Sequence, residues 1–100
     1  MKMRLHEAAK TEPEEAVAWY EAVRPGLGTE LLDAFDAGLS KIAGFPRAWR
    51  PLSRNTRAYR LDRFPYNIVY RVRDGAILIV AVAHHKRRPD YWRDRLRGKD

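Results

Sequence analysis

The chain is predicted to fold as an α+β domain in which a small antiparallel sheet packs against an N-terminal helical hairpin. Three observations predict it. Apolar residues in the first half recur at helical spacing. From Arg57 onward the period changes to two. Asp74-Gly75 then sits between two apolar runs, where a tight two-residue hairpin turn needs positive φ at both central positions.

In chain order, Met3 to Ala8 is a short strand candidate, with Met3 and Leu5 alternating against Arg4 and His6. Thr11-Glu12-Pro13-Glu14 reads as a helix start: Thr11 can cap free amides, Pro13 fits a first turn, and the acids suit the positive end of the helix dipole. Ala16, Val17, Trp19, Tyr20 and Val23 follow at helical spacing, and Pro25-Gly26 ends the run. A second helix is predicted from near Thr29, with Leu31, Leu32, Phe35, Leu39 and Ile42 on one face and a stop at Gly44 and Pro46. The short link makes the pair a helical hairpin. Trp19, Tyr20 and Phe35 are read as core aromatics, because spacing alone accounts for them.

Residues 46–56 show no period and read as a loop. Tyr59 and Leu61 then alternate with Arg60 and Asp62, and Phe64-Pro65 turns the chain. Ile68, Tyr70 and Val72 alternate with Asn67, Val69, Arg71 and Arg73. Ala76 to Ala83 is apolar on both faces, as in a central strand covered from both sides. These three strands form a meander, which the N-terminal strand joins. Residues 1–100 are expected to be one domain, with residues 96–100 as a charged tail.

Charge is unevenly spread. Residues 1–46 carry a net −3 and residues 47–100 a net +10. The basic half favours an anionic partner, either nucleic acid or an acidic protein segment. With no cysteine, disulfides and thiolate metal sites are excluded. Adjacent histidines splay, so His84 and His85 do not make a metal site with His6. No glycine loop that cradles phosphate is present, and neither metal nor cofactor is expected. Met1 to Glu7 holds no apolar run of signal-peptide length, and no window approaches the ~20 apolar residues of a membrane span. A cytoplasmic setting without membrane contact is the expectation.

Alternation along the strands sorts the side chains. If Tyr59, Leu61, Ile68, Tyr70 and Val72 face the helices, then Arg60, Asp62, Asn67, Val69, Arg71 and Arg73 face away. One of His84 and His85 joins that second face at the strand end, and Lys86, Arg87 and Arg88 follow. The second face is expected to be open, polar and basic. Arg60, Asn67, Arg71, Arg73, Lys86, Arg87 and Arg88 are its candidate partner-binding residues. Cleaving RNA on such a face needs a base, an acid and cations to stabilise the phosphorane. Arg60, His84, His85, Arg87 and Tyr91 are the candidates for that chemistry. The two histidines can equally end a strand as polar residues, and Tyr91 and Trp92 can pack under the sheet.

Several stretches carry a family likeness. Tyr59-Arg60-Leu61, Arg63 to Val72, Ile79 to His85 and Arg88-Pro89-Asp90-Tyr91-Trp92 resemble the RelE/ParE superfamily of type II toxins. Glu14-Glu15-Ala16, Trp19-Tyr20 and Arg24-Pro25-Gly26-Leu27-Gly28 resemble that superfamily's helical hairpin. The resemblance implies a bacterial growth inhibitor held inactive by a cognate antitoxin and drawn into larger assemblies through it. RelE-like members cut mRNA in the ribosomal A site without metal. ParE-like members poison DNA gyrase and lack the nuclease residues. Arg60 keeps one basic position of the nuclease pattern, Asp62 reverses another, and Asn67 stands where the nucleases carry an arginine. Lys86, Arg87, His84, His85 and Tyr91 match the positions beyond the last strand. The resemblance therefore favours a ParE-like toxin. A RelE-like endoribonuclease is the first alternative, and a non-toxic nucleic-acid-binding module is the second.

Overall fold

A computed structural model describes residues 1–97. The chain runs β1 (Lys2–Leu5), α1 (Glu7–Val23), α2 (Leu27–Gly44), β2 (Arg50–Pro51), β3 (Thr56–Arg60), β4 (Tyr66–Arg73), β5 (Ala76–His84) and a short 3-10 turn at Arg93–Leu96. Of the expected charged tail, residues 98–100 lie outside the described residues. The sheet order is β1-β5-β4-β3-β2.

The meander forms as expected, with β3, β4 and β5 pairing antiparallel. Asp74 at φ 54° and Gly75 at φ 72° turn β4 into β5 with the positive angles that the dipeptide signals. Two details differ from expectation. β1 joins the sheet parallel to β5, with Leu5 opposite Ile79, so the sheet is mixed. The connection from β1 to β5 passes through the hairpin and three strands, so no tight turn dictates an antiparallel direction. Second, Arg50–Pro51 leaves the expected loop to pair with β3 as an edge strand. Two residues show no period, and the edge tolerates a proline that cannot donate.

α1 starts four residues earlier than Thr11. His6 is its cap: Nδ1 accepts from the Ala8 amide at 3.1 Å. Pro13 therefore lies inside the helix, and Glu12 is an interior residue rather than part of a cap. α2 starts at Leu27, and the Glu21 carboxylate accepts from the Gly26 and Gly28 amides at 2.9 and 3.0 Å. Free amides at the start of α2 are thus satisfied from α1. A Cβ on Gly28 would sit 2.7 Å from the Val17 carbonyl oxygen, so this glycine permits the close approach of the two helices.

The main core lies between the hairpin and one sheet face. Leu31, Phe35 and Ile42 meet Tyr59, Ile68, Tyr70, Ile79 and Val82 there. Tyr70 is buried, and its hydroxyl donates to the Pro46 carbonyl at 2.7 Å. Phe35 is a core residue as expected, and Tyr20 packs against the same cluster. Trp19 is not: its side chain is 62% exposed.

The second face is not fully open. Val69, Leu78, Val80, Ala81 and Ala83 form a smaller core beneath Trp92, joined by Tyr91 and Leu96. Pairing shifts between Val69–Ala81 and Tyr70–Ile79, which leaves Val80 as an extra residue in β5. That bulge puts Val80 and Ala81 on the same face and gives Trp92 an apolar floor. Burying a large apolar side chain of this kind stabilises the fold by ~1.5–3 kcal/mol.

Candidate functional site

β5 ends in the paired histidines, and they point to opposite sides. His84 meets the Tyr66 ring edge-on at 5.1 Å, and its Nδ1 accepts from the Lys86 amide at 3.0 Å. His85 turns to the second face, with Nε2 3.3 Å from the Asn67 Oδ1. Burial, followed by the charges of Arg60 and His84, holds His85 below its ordinary pKa, so its imidazole is neutral near pH 7.

Arg60 lies opposite Asn67 in the sheet. Both line a groove of about 620 Å³ with Lys41, Trp49, Arg50, Asp62 and His85. Its rim is cationic, and Trp49 meets Tyr59 edge-on at 4.8 Å. A second hollow of about 270 Å³ shares Arg50, Asn67 and His85 with the first, and reaches His84, Arg87, Arg88, Tyr91 and Trp92. The fold thus brings Arg60, Asn67, His85, Arg87 and Arg88 around one continuous depression. Lys86 is exposed in the turn beyond β5 and lines neither hollow.

Arg71 and Arg73 are not part of this depression. They line a separate hollow of about 190 Å³ with Arg4 and Asp74. Arg71, expected on an open face, is only 7% exposed, and its guanidinium lies 3.5 Å from the Leu96 carbonyl. The C-terminal segment crosses the sheet here and buries it.

Tyr91 is tied up elsewhere. Its hydroxyl donates to Glu12 Oε2 at 2.7 Å, and the Arg87 guanidinium lies 3.8 Å from its ring centre. Burial and then the hydrogen bond to Glu12 push its pKa far above the ordinary phenol value. The proton stays on Tyr91, so this group is a poor acid or base near neutral pH.

Sequence reasoning missed the pair that does this tying, Glu12 and Arg95. The Glu12 carboxylate accepts from the Val82 amide at 2.9 Å and from Arg95 at 2.9 and 3.0 Å. Arg95 also donates to the Val80 carbonyl at 3.1 Å. β1 stops at Leu5, opposite Ile79. Beyond that point, these two side chains satisfy backbone groups of β5 that a longer β1 would have paired. Burial pushes the Glu12 carboxyl up, but hydrogen bonds from Arg95, Tyr91 and Val82 outweigh it and hold the group below the ordinary carboxylate range. No spacing rule links residues this far apart; the only signal is an acid that a helix cap does not need.

Chemically, the depression is suited to binding anions. For proton transfer it offers His85, while Tyr91 is locked and Asp62 places a carboxylate in the groove that phosphate would enter. Among the described residues, no group of three or more His, Asp or Glu side chains is arranged to hold a metal. Also among them, no helix is long and apolar enough to cross a membrane.

A small mixed sheet under a helical hairpin, with a basic depression where Arg60, Asn67 and His85 meet, is the architecture that the resemblance to type II toxin–antitoxin toxins leads one to expect. The chain belongs to the ParE toxin family of these systems: the family described as the ParE toxin of the type II toxin–antitoxin system parDE matches residues 3–89. Two proteins named Toxin ParE2, from Mycobacterium tuberculosis strains CDC 1551 / Oshkosh and ATCC 25618 / H37Rv, are each 30% identical over 99 residues, covering 98% of this chain and 94% of theirs. A solved chain of the chromosomal ParDE TA system from P. aeruginosa shares the fold, with a TM-score of 0.64 over 84% of this chain and 95% of that one, at 16% identity. The chain is the toxin component of such a system, and an antitoxin is its partner.

Proposed function

We propose that this toxin stops growth in the cytoplasm by binding DNA gyrase rather than by cutting mRNA. The observation that carries the reading is the state of the nuclease positions. Asn67 stands where the nuclease pattern of the resemblance has an arginine, and it is hydrogen-bonded to His85. Of the other proton-transfer candidates, Tyr91 is held by Glu12, and His84 points to the opposite side from His85. Cations without a matched acid and base favour binding over cleavage.

The antitoxin docks on two surfaces in this reading. An apolar groove of about 560 Å³ runs over the hairpin, lined by Leu5, Pro13, Val17, Ala18, Leu32 and Phe35, and it suits the apolar face of an amphipathic segment. The basic depression around Arg60 and Arg87 suits an acidic continuation. A segment long enough to cover both also supplies the link through which toxin copies assemble.

The endoribonuclease reading retains one supporting observation: Arg60, His85 and Arg87 surround the same depression. Induced expression without antitoxin separates the two. The gyrase reading expects growth arrest with an SOS response and intact mRNA. Codon-phased cuts in mRNA without DNA damage would overturn it.

A further inference from the structure

Trp19 is a large aromatic that the core does not absorb. It stands on α1 with Glu12, Glu15 and Ala16, at the three- and four-residue spacings that share one helix face. That face borders the end of β5, where a notch of about 240 Å³ is lined by Glu15, Trp19, Tyr66, His84, Arg87 and Glu12. Its volume is below the ~300 Å³ at which small-molecule pockets begin, and it fits one long side chain.

Three aromatic rings meet the notch. Tyr66 and His84 stand edge to face at 5.1 Å, and Trp19 braces its ring on Tyr20 at 4.9 Å. Ring faces attract cations through their quadrupole. Two charged neighbours are engaged with Tyr91, although Arg87 keeps its positive charge at the rim. Glu12 is spent on Arg95 and Tyr91, and Arg87 stacks on Tyr91. Glu15 is exposed and, among the described residues, makes no ion pair. It is the carboxylate left over for a ligand. The wider field agrees, because α1 carries five glutamates against one lysine in a chain of net charge +7. The helix is the acidic part of a basic molecule.

We propose that this notch is a recognition site for a basic side chain, an arginine or lysine presented by a protein partner. The alkyl stem lies along Trp19, the cationic head sits among the Trp19, Tyr66 and His84 rings, and Glu15 pairs with it. An exposed tryptophan beside such a notch has the character of a binding hot spot. The site adjoins the basic depression, with which it shares His84 and Arg87, and is separate from the apolar hairpin groove; Trp19 and Glu15 belong to the notch and not to the depression. It holds whether the cellular target is gyrase or the ribosome.

The test uses the full-length toxin, N-acetyl-arginine amide as probe and N-acetyl-glutamine amide as control, followed by NMR of the three indole N–H groups. Trp49 in the basic groove and buried Trp92 serve as internal references. The arginine probe is expected to shift the Trp19 indole saturably while the glutamine probe does not. Glu15→Gln should weaken that response about two- to fivefold, in line with an exposed cation site. Trp19→Leu, read through the Ala16 amide, should remove it. Both positions are exposed, so neither change threatens the fold. Absence of a Trp19 response, equal responses to both probes, or an unchanged response in Glu15→Gln would each overturn the proposal.

Discussion

Glu12 and Arg95 stand 83 positions apart in the chain and face each other across two hydrogen bonds of 2.9 and 3.0 Å. Both are largely buried, at 13% and 18% side-chain exposure. Through them the first helix, the edge of β5 and the C-terminal segment are fastened at one point. Removing one member leaves the other buried without its partner, which costs more than the pair contributes when intact. Glu12→Ala is therefore expected to destabilise the fold by about 2–4 kcal/mol in urea unfolding. Hydrogen exchange should rise first at Arg93 and Arg95, whose amides bond within the C-terminal turn. Uniform loss of protection across the sheet, with no early opening of that turn, would contradict a local fastening.

The same pair sets an acid limb. Glu12 titrates below its ordinary 4.5 in the folded chain, so the unfolded chain binds the extra proton first. Stability from this group is complete above that value and is lost as pH falls below it, through the folded pKa. Urea midpoints measured from neutral to acid pH should fall for the native chain along this limb. Glu12→Gln should start lower and fall less steeply.

Gly28 packs one helix onto the other with its missing side chain. Gly28→Ala places a Cβ 2.7 Å from a backbone oxygen, which cannot swing aside. A loss of about 1–3 kcal/mol is expected despite alanine's better helix propensity, because the hairpin must open to admit the methyl group. Equal or greater stability by thermal unfolding would show that the two helices separate without cost.

Much of the fold was legible because it rests on local rules. Asp74-Gly75 specifies its own turn, the Ala76–Ala83 run its own burial, and Phe35 and Ile42 fall on the inner stripe of α2 by spacing alone. What escaped was non-local. The bulge at Val80 has no sequence mark, yet it moves Ala81 to the face that Trp92 covers. Arg71 follows strand alternation correctly and is still buried, because alternation gives a face and not what lies over it. Glu12 reads as a first-turn acid facing the helix dipole until His6 is seen to cap the helix. At the candidate site, the opposed histidines and the shared face of Arg60 and Asn67 followed from strand geometry, whereas the register that sets those two side by side did not. The tie that disables Tyr91 did not, since its acceptor lies near the other end of the chain.

The proposed docking of the antitoxin over the hairpin makes Leu32 a sensitive position, since it is 43% exposed within the apolar groove. Leu32→Glu should leave the fold intact and weaken toxin–antitoxin binding at least about tenfold, the equivalent of ~1.4 kcal/mol. Co-expression would then fail to restore growth. Unchanged affinity by calorimetry would move the antitoxin off this face.

The central claim is that the toxin binds its target instead of cutting RNA, and purified gyrase tests it most directly. Supercoiling of relaxed plasmid should fall, and cleaved plasmid accumulate, as the toxin is titrated in. Adding antitoxin should reverse both effects, and His85→Ala should leave them in place. Unimpaired supercoiling at every toxin concentration, together with mRNA cleavage on translating ribosomes that His85→Ala abolishes, would contradict the account.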